Sequence, residues 1–186
     1  MRHKNKTMKI LKNIFALILI VSLTSCNSDD DNNTSYDLTM ENFVDTYSQN
    51  FSKIIVAETV TFSNGTSSTT TTATDGIIFQ DVNYTFSNSG TFIANGLLTT
   101  RVTIVSASGD TTVLNDIIVS LDINGTYVLS TVNSTLELSY QLENQNITRL
   151  YNITRFTETE LYLEYEDEVT TGDITTNTFE ELRFTK

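Results

Sequence analysis

The chain has 186 residues and a formal net charge of −12, with one cysteine, one histidine, no proline and no tryptophan. That is the length of one domain. A single cysteine excludes an internal disulfide, and the acidic balance is the wrong sign for holding nucleic-acid phosphates.

Arg2, Lys4, Lys6, Lys9 and Lys12 give the chain a basic start, followed by an apolar run from Ile14 to Leu23 and then Leu23-Thr24-Ser25-Cys26. The apolar run is too short to span a bilayer as a mature helix, and the whole has the form of a secretion signal. These residues resemble the lipobox of bacterial lipoprotein precursors. The resemblance implies cleavage before Cys26, a thioether-linked diacylglycerol on Cys26 and usually a further acyl chain on its amine. It thus implies a membrane partner held through the lipid. The alternative is a soluble secreted protein with a free terminal thiol. Buried methylenes contribute about 0.8 kcal/mol each, so two or three acyl chains hold firmly where one holds marginally.

Cleavage there removes His3, five of the 11 Lys+Arg and none of the 23 Asp+Glu, leaving 161 residues with net charge −17. Such a chain has no imidazole and no free thiol. It cannot assemble a Ser-His-Asp or Cys-His site, the usual zinc ligands or a haem axial pair, and no cofactor is expected. Catalysis would have to rest on carboxylates, hydroxyls, tyrosines or an oxygen-liganded metal.

Residues Asn27 to Tyr36 carry almost nothing to bury and read as a flexible, solvated tether. Within it, Ser28-Asp29-Asp30-Asp31 resembles the acidic export signal that follows the cysteine in surface lipoproteins of Bacteroidota, which implies display on the outer face of the outer membrane. A periplasm-facing position is the alternative. The expected organisation is a signal peptide at 1–25, the acylated cysteine and tether at 26–37, and one β-domain at 38–186.

Met40, Phe43, Val44, Tyr47 and Phe51 fall at i, i+3, i+4, i+7 and i+11, one stripe of an α-helix, with Thr39 available as its N-cap. One short helix over Met40–Phe51 is therefore predicted. After it the chain reads as strand. About one residue in six is threonine, and valine, isoleucine, tyrosine and phenylalanine supply most of the remaining apolar content. Expected strands cover 54–62, 77–87, 91–105, 111–123, 126–132, 135–143, 147–156, 160–166 and 177–185. The Ser/Thr-rich stretch 66–74 is open between strand and loop. Turn signals fall at Asn64-Gly65, Asn88-Ser89-Gly90, Ser108-Gly109-Asp110, Asn124-Gly125, Asn133-Ser134, Asn144-Gln145-Asn146 and Gly172-Asp173, while Asn95-Gly96 is either a bulge or another turn. Alternation is clear in Leu136, Leu138, Tyr140 and Leu142, in Ile117, Val119, Leu121 and Ile123, and in Leu161, Leu163 and Tyr165, so each of these strands has one dry face.

About eight to ten successive antiparallel strands need a closed barrel or two packed sheets, since an open sheet leaves two edges and an uncovered face. The expected fold is all-β, an antiparallel up-and-down β-barrel with the short N-terminal helix plugging one end. A β-sandwich is the alternative.

Asn124-Gly125-Thr126-Tyr127-Val128-Leu129, Ser134-Thr135-Leu136-Glu137-Leu138, Leu150 to Thr157 with Glu160-Leu161-Tyr162-Leu163, and the terminal Leu182-Arg183-Phe184-Thr185-Lys186 resemble the carboxyl half of lipocalin-like lipoproteins of Bacteroidota. The Gly-x-Trp that often opens such domains is absent. The resemblance implies a lipocalin-like barrel with an apolar interior that takes a small hydrophobic or amphipathic ligand.

Candidate ligand-binding residues are Tyr84, Tyr127, Tyr140 and Tyr151, whose rings and hydroxyls suit a cavity wall, although tyrosines at β spacing are more often plain core. Arg149 shares strand parity with Tyr151 and Ile153 and would point inward, where a guanidinium needs a carboxylate or a ligand anion. At a barrel rim, or after a register slip, it is an ordinary surface charge, and that is the favoured reading. Arg155, nearer the strand end, reaches water. Glu164, Glu166, Asp167, Glu168 and Asp173 could hold calcium but read first as a solvated acidic hairpin. Asp122-Ile123-Asn124-Gly125 lacks the later ligands of a calcium loop and reads as a hairpin turn. Alternation sends Glu180 and Glu181 to opposite faces, so they cannot flank one glycosidic bond. Asp110-Thr111-Thr112 resembles the O-glycosylation motif of Bacteroidota. The expected role is non-catalytic ligand binding at the cell surface. A structural or adhesive role through the exterior is the alternative, with a carboxylate-only hydrolase behind both.

Overall fold

In the computed structural model the described residues are Tyr36–Lys186. The expected signal segment, Cys26 and the expected tether up to residue 35 lie outside them. The described elements are α1 (Met40–Phe43), β1 (Thr46–Thr61), β2 (Ser67–Phe86), β3 (Thr91–Val105), β4 (Thr111–Val113), β5 (Ile117–Ser130), β6 (Thr135–Leu142), β7 (Gln145–Phe156), β8 (Glu160–Thr171) and β9 (Ile174–Thr185). Each strand pairs antiparallel with its neighbours in the order β2-β1-β9-β8-β7-β6-β5-β3-β4, and β2 also pairs with β3. Eight strands thus close into a barrel, and β4 is an extra strand beside the far end of β3. The fold is the all-β antiparallel barrel that alternation and hairpin spacing predict, not a sandwich.

The helix is much shorter than its apolar stripe suggests. Thr39 caps it by accepting from the Asn42 amide at 3.2 Å, and the chain leaves helical geometry at Val44. From Thr46 onward it is strand: Tyr47 and Gln49 are buried while Ser48 and Asn50 are exposed. Tyr47 satisfied both periods, and the barrel decided between them. β1 forms ladders with β2 on one edge, as in Tyr47↔Tyr84, and with β9 on the other, as in Gln49↔Phe184. A few helical turns cannot match two ladders of backbone hydrogen bonds, and helix nucleation is unfavourable in any case.

One open reading is resolved and two further expectations are corrected. The Ser/Thr-rich stretch is strand, with β2 running from Ser67 and pairing Thr72 with Val56. Asn124-Gly125 is not a turn but lies inside β5, opposite Ile93 and Phe92 of β3. Glycine is needed there for space, because a Cβ on Gly125 would stand 2.5 Å from both Phe92 Cε1 and the Ser139 carbonyl oxygen. The expected strand at 111–123 is instead broken between β4 and β5, where Arg101 grips Asp116 through two hydrogen bonds of 2.9 and 3.1 Å. Gly96 sits at φ +126° inside β3, where a Cβ would meet the Asp81 carbonyl oxygen at 2.4 Å, beside the bulge in β2. The β6–β7 turn is Glu143-Asn144, both at positive φ (49° and 66°), as a two-residue type I′ hairpin requires.

The core occupies the end of the barrel that α1 covers. Phe43 is fully buried, with its ring 4.8 Å from Phe86, 5.6 Å from Tyr127 and 6.0 Å from Tyr47, centroid to centroid. Leu136, Leu161, Leu163 and Phe184 pack below it. The C-terminal Lys186 pins the plug: its Nζ donates to the Asn42 carbonyl at 2.9 Å, pairs with Asp45 at 3.3 Å and lies over the Tyr47 and Phe156 rings. Replacing Phe43 with alanine removes the ring on which the plug is built. We expect Phe43→Ala to destabilise the protein by about 3–5 kcal/mol, read from urea unfolding at unchanged m-value. A loss below about 1 kcal/mol would show that the plug contributes little to the core.

Candidate functional site

Strand parity decides what faces the interior above the core. From β1 come Gln49, Ser52 and Ile54, and from β9, in register with them, Phe184, Leu182 and Glu180. Leu98 of β3 and Leu121 and Ile123 of β5 line the other wall, with Tyr84 of β2 and Tyr140 of β6 between. These side chains leave a cavity of about 320 Å³. It opens at the end opposite α1. The β6–β7 hairpin stops at Leu142 and Gln145, while the β7–β8 ladder goes no further in that direction than Asn152↔Glu164. The wall is consequently lower and parted on that side. There the Arg149 guanidinium lies 5.3 Å over the centroid of the Tyr165 ring.

The cavity wall carries a charge pair. Arg149 points inward and ion-pairs with Glu180 through Nη1 and Oε2, and the same carboxylate oxygen accepts from the Tyr151 hydroxyl at 2.8 Å. The side chains are 27% and 7% exposed respectively. The favoured sequence reading of Arg149 as a plain surface charge is therefore corrected: register places it inside, and the carboxylate that an inward guanidinium needs is supplied from β9, across β8. Burial works against the Arg149 charge, but the Glu180 carboxylate, together with Tyr151 and Tyr140, more than offsets it and keeps the guanidinium firmly protonated. Burial, reinforced by the same carboxylate, pushes the Tyr151 phenol well above its ordinary value, so Tyr151 is a proton donor to Glu180. Tyr84 is shifted up for the same two reasons, and Tyr140 chiefly by burial.

The other candidates divide by depth. Tyr84 and Tyr140 line the cavity, their rings set by Phe184 at 5.0 Å and Phe92 at 6.2 Å, centroid to centroid. Tyr151 stands behind the ion pair and orients it. Tyr127 belongs to the plugged end: its hydroxyl donates to the Ser87 carbonyl at 2.7 Å, and it is core rather than cavity wall. Arg155 is exposed as expected and pairs with Glu160 at 2.6 Å. Glu181 faces out and pairs with Arg183, the opposite face from Glu180, as alternation requires. Along β8, Glu166 and Glu168 are exposed on the outer face and Asp167 shares the inner parity of Tyr165.

Two site residues escape the sequence reading. Glu180 shares parity with Leu182 and Phe184, a signal that was present and that marks it as inward. Gln49 was hidden inside the helical stripe. It is 4% exposed, its Nε2 donates to the Phe51 carbonyl at 3.3 Å, and its Oε1 is buried without a hydrogen-bond partner. Such an acceptor costs about 1–3 kcal/mol if left unmet.

The fold and cavity define a closed eight-stranded antiparallel barrel, plugged at one end and hollow at the other. No known family and no curated protein matches the chain. Among solved structures it is similar to Ail, the attachment invasion locus protein of Yersinia pestis, in complex with the heparin analogue sucrose octasulfate. That match has 7% identity and a TM-score of 0.18, covering 76% of this chain and 98% of that one.

The asymmetry in burial of the ion pair makes a prediction. Arg149→Met leaves the more deeply buried carboxylate without its cation and is expected to cost about 3 kcal/mol. Glu180→Gln keeps the Tyr151 contact and leaves a guanidinium that can turn to water, at a cost of about 1–2 kcal/mol. Urea unfolding of both variants checks the order, and equal or reversed costs would count against an inward pair.

Proposed function

We propose that this protein is a lipid-anchored, cell-surface binding protein whose lipocalin-like barrel takes one small amphipathic ligand through its open end, without catalysis. The observation that carries the reading is the cavity itself, about 320 Å³ in volume, apolar along β3 and β5 and polar around Arg149, Glu180, Tyr84 and Tyr140. A largely preformed apolar recess with a few converging polar groups is the usual form of a small-ligand site, and this volume suits a single ring or a short chain. Soluble protein from residue 26 onward, carrying Cys26→Ser, should retain a ligand from a lipid and sugar panel in native mass spectrometry. Leu121→Trp, which fills the cavity, should abolish that complex while the fold persists. A wild-type protein that holds nothing, or a filled variant that binds as well, overturns the reading.

The membrane part of the proposal rests on the lipobox. Its support from the fold is that the outer faces of β8 and β9 carry Glu164, Glu166, Glu168, Glu181 and Arg183, where a barrel crossing a bilayer with its strands would present an apolar band. Attachment then falls to Cys26, and the acidic residues after it support an outward-facing address on the outer membrane. In a didermal host of the expected type, the wild-type chain should sediment with the outer membrane and be accessible to protease on intact cells, whereas Cys26→Ala should appear in the soluble fraction. An unchanged distribution on losing Cys26 would defeat the anchor.

A second reading, an accessory or adhesive protein acting through its exterior, is favoured by the outward Ile78, Leu97, Ile118 and Val128, all exposed on β2, β3 and β5. A defined protein crosslink at these strands in intact cells, with the cavity occluded, would select it.

A further inference from the structure

Building on the proposed ligand-binding role, we infer that the cavity selects a neutral amphiphile with a hydroxyl donor at one end, and that this end goes in first, to Gln49. The inference starts from depth. Along β1 the inward side chains run Gln49, Ser52 and Ile54 from the plugged end toward the mouth, paired across β9 with Phe184, Leu182 and Glu180. Gln49 therefore lies at the floor of the recess, below the charge pair. Gln49 lines the recess, but its Oε1 is fully enclosed and has no partner while its Nε2 donates to the Phe51 carbonyl, so a donor from the recess meets the oxygen as the amide turns toward it. An amide oxygen only accepts, so whatever meets it must donate.

The charge pair above decides which donor. Arg149 and Glu180 neutralise one another, and Asp122, the other charged residue along the lining, lies between the inward Leu121 and Ile123 with its side chain exposed outside, so the interior offers an ion no unpaired charge. A carboxylate end drawn by Arg149 would lie against the Glu180 carboxylate and would present a second acceptor to Gln49. An ammonium end would satisfy Gln49 but would pass the Arg149 guanidinium and lose its own hydration in an apolar recess. A hydroxyl donates to Gln49 at no such cost. Its hydrocarbon body then lies along Leu98, Leu121 and Ile123, on strands well round the barrel from the ion pair.

The test uses three probes of equal chain length, 1-octanol, octanoate and octylammonium, titrated at pH 7 into the soluble Cys26→Ser protein. Binding is read by calorimetry and by the side-chain amide resonances of Gln49. The expected order places 1-octanol about tenfold tighter than either ion, with the Gln49 amide shifting on binding. Gln49→Leu should remove most of that advantage, and Gln49→Glu should move the preference to octylammonium. Octanoate binding as tightly as the alcohol, or an alcohol affinity unchanged in Gln49→Leu, overturns the inference while leaving a ligand-binding cavity in place. The latter is the result expected if a buried water alone satisfies Gln49. If none of the three binds the wild-type protein, the inference and the cavity reading fall together.

Discussion

The structure depends on ring closure at β1. A strand between two antiparallel partners has every inward and outward position set by both, and here β1 is in register with β2 along one edge and β9 along the other. Closure abolishes the sheet edges that so many hairpins would otherwise expose, and it turns strand alternation into a strict partition between an enclosed interior and a solvated exterior. It also removes from the helix all but one turn. What remains of α1 serves as a plug, with Phe43 on the aromatic cluster below and Lys186 from the other end of the chain holding it down.

The interior is filled unevenly. Near the plug, Phe, Tyr and Leu side chains fill it, and Gly125 gives up its own side chain so that the Phe92 ring can lie across β5. Toward the mouth the β6–β7 hairpin is too short and the β7–β8 ladder too brief to keep the wall at full height. The side chains there are polar enough to tolerate water and constrained enough to keep their positions. Arg149, Glu180 and Tyr151 form one unit, each supplying what another lacks: a cation for the buried carboxylate, a carboxylate for the inward guanidinium, and a phenol whose raised pKa keeps it a donor. A unit of this kind contributes little net stability over apolar packing of the same volume. Its consequence is directional: it fixes a polar wall facing an apolar one.

The acidic character of the chain falls mainly on surfaces that the barrel turns outward. Glu164, Glu166 and Glu168 alternate along β8 with the inward Leu163 and Tyr165 and with Asp167, which shares their parity but is exposed, and Glu181 alternates with Glu180 and Leu182 along β9. Only Glu180 of these is taken into the interior beside a cation. The separation of roles is thus a matter of parity, one residue's shift in register being enough to exchange the two faces.

Much of this was legible from local pattern, because alternation and turn chemistry are local. The buried Leu136 and Leu138 of β6 and Leu161 and Leu163 of β8, the hairpins at Asn64-Gly65, Asn88-Ser89-Gly90 and Gly172-Asp173, and the opposite facing of Glu180 and Glu181 follow from period-two spacing and from residues that accept positive φ. Ile117 and Val119 of β5 and Leu142 of β6, expected on dry faces, are exposed. That residues 27–186 contain neither histidine nor cysteine likewise needs no coordinates. What the linear order left undecided are questions that partners settle. Tyr47 fits a helix and a strand equally until β2 and β9 supply ladders on both its sides. Asn-Gly at 124–125 signals a turn until Phe92 claims the glycine's empty side. Arg149 has the parity of an interior residue, but only the alignment of β7 and β9 across β8 brings Glu180 to it, from 31 positions further along the chain. Gln49 becomes an unmet acceptor only once the strands around it have closed. Spacing along a chain determines which face a side chain takes, whereas what that face meets depends on contacts between distant segments, and these exist only in the folded barrel.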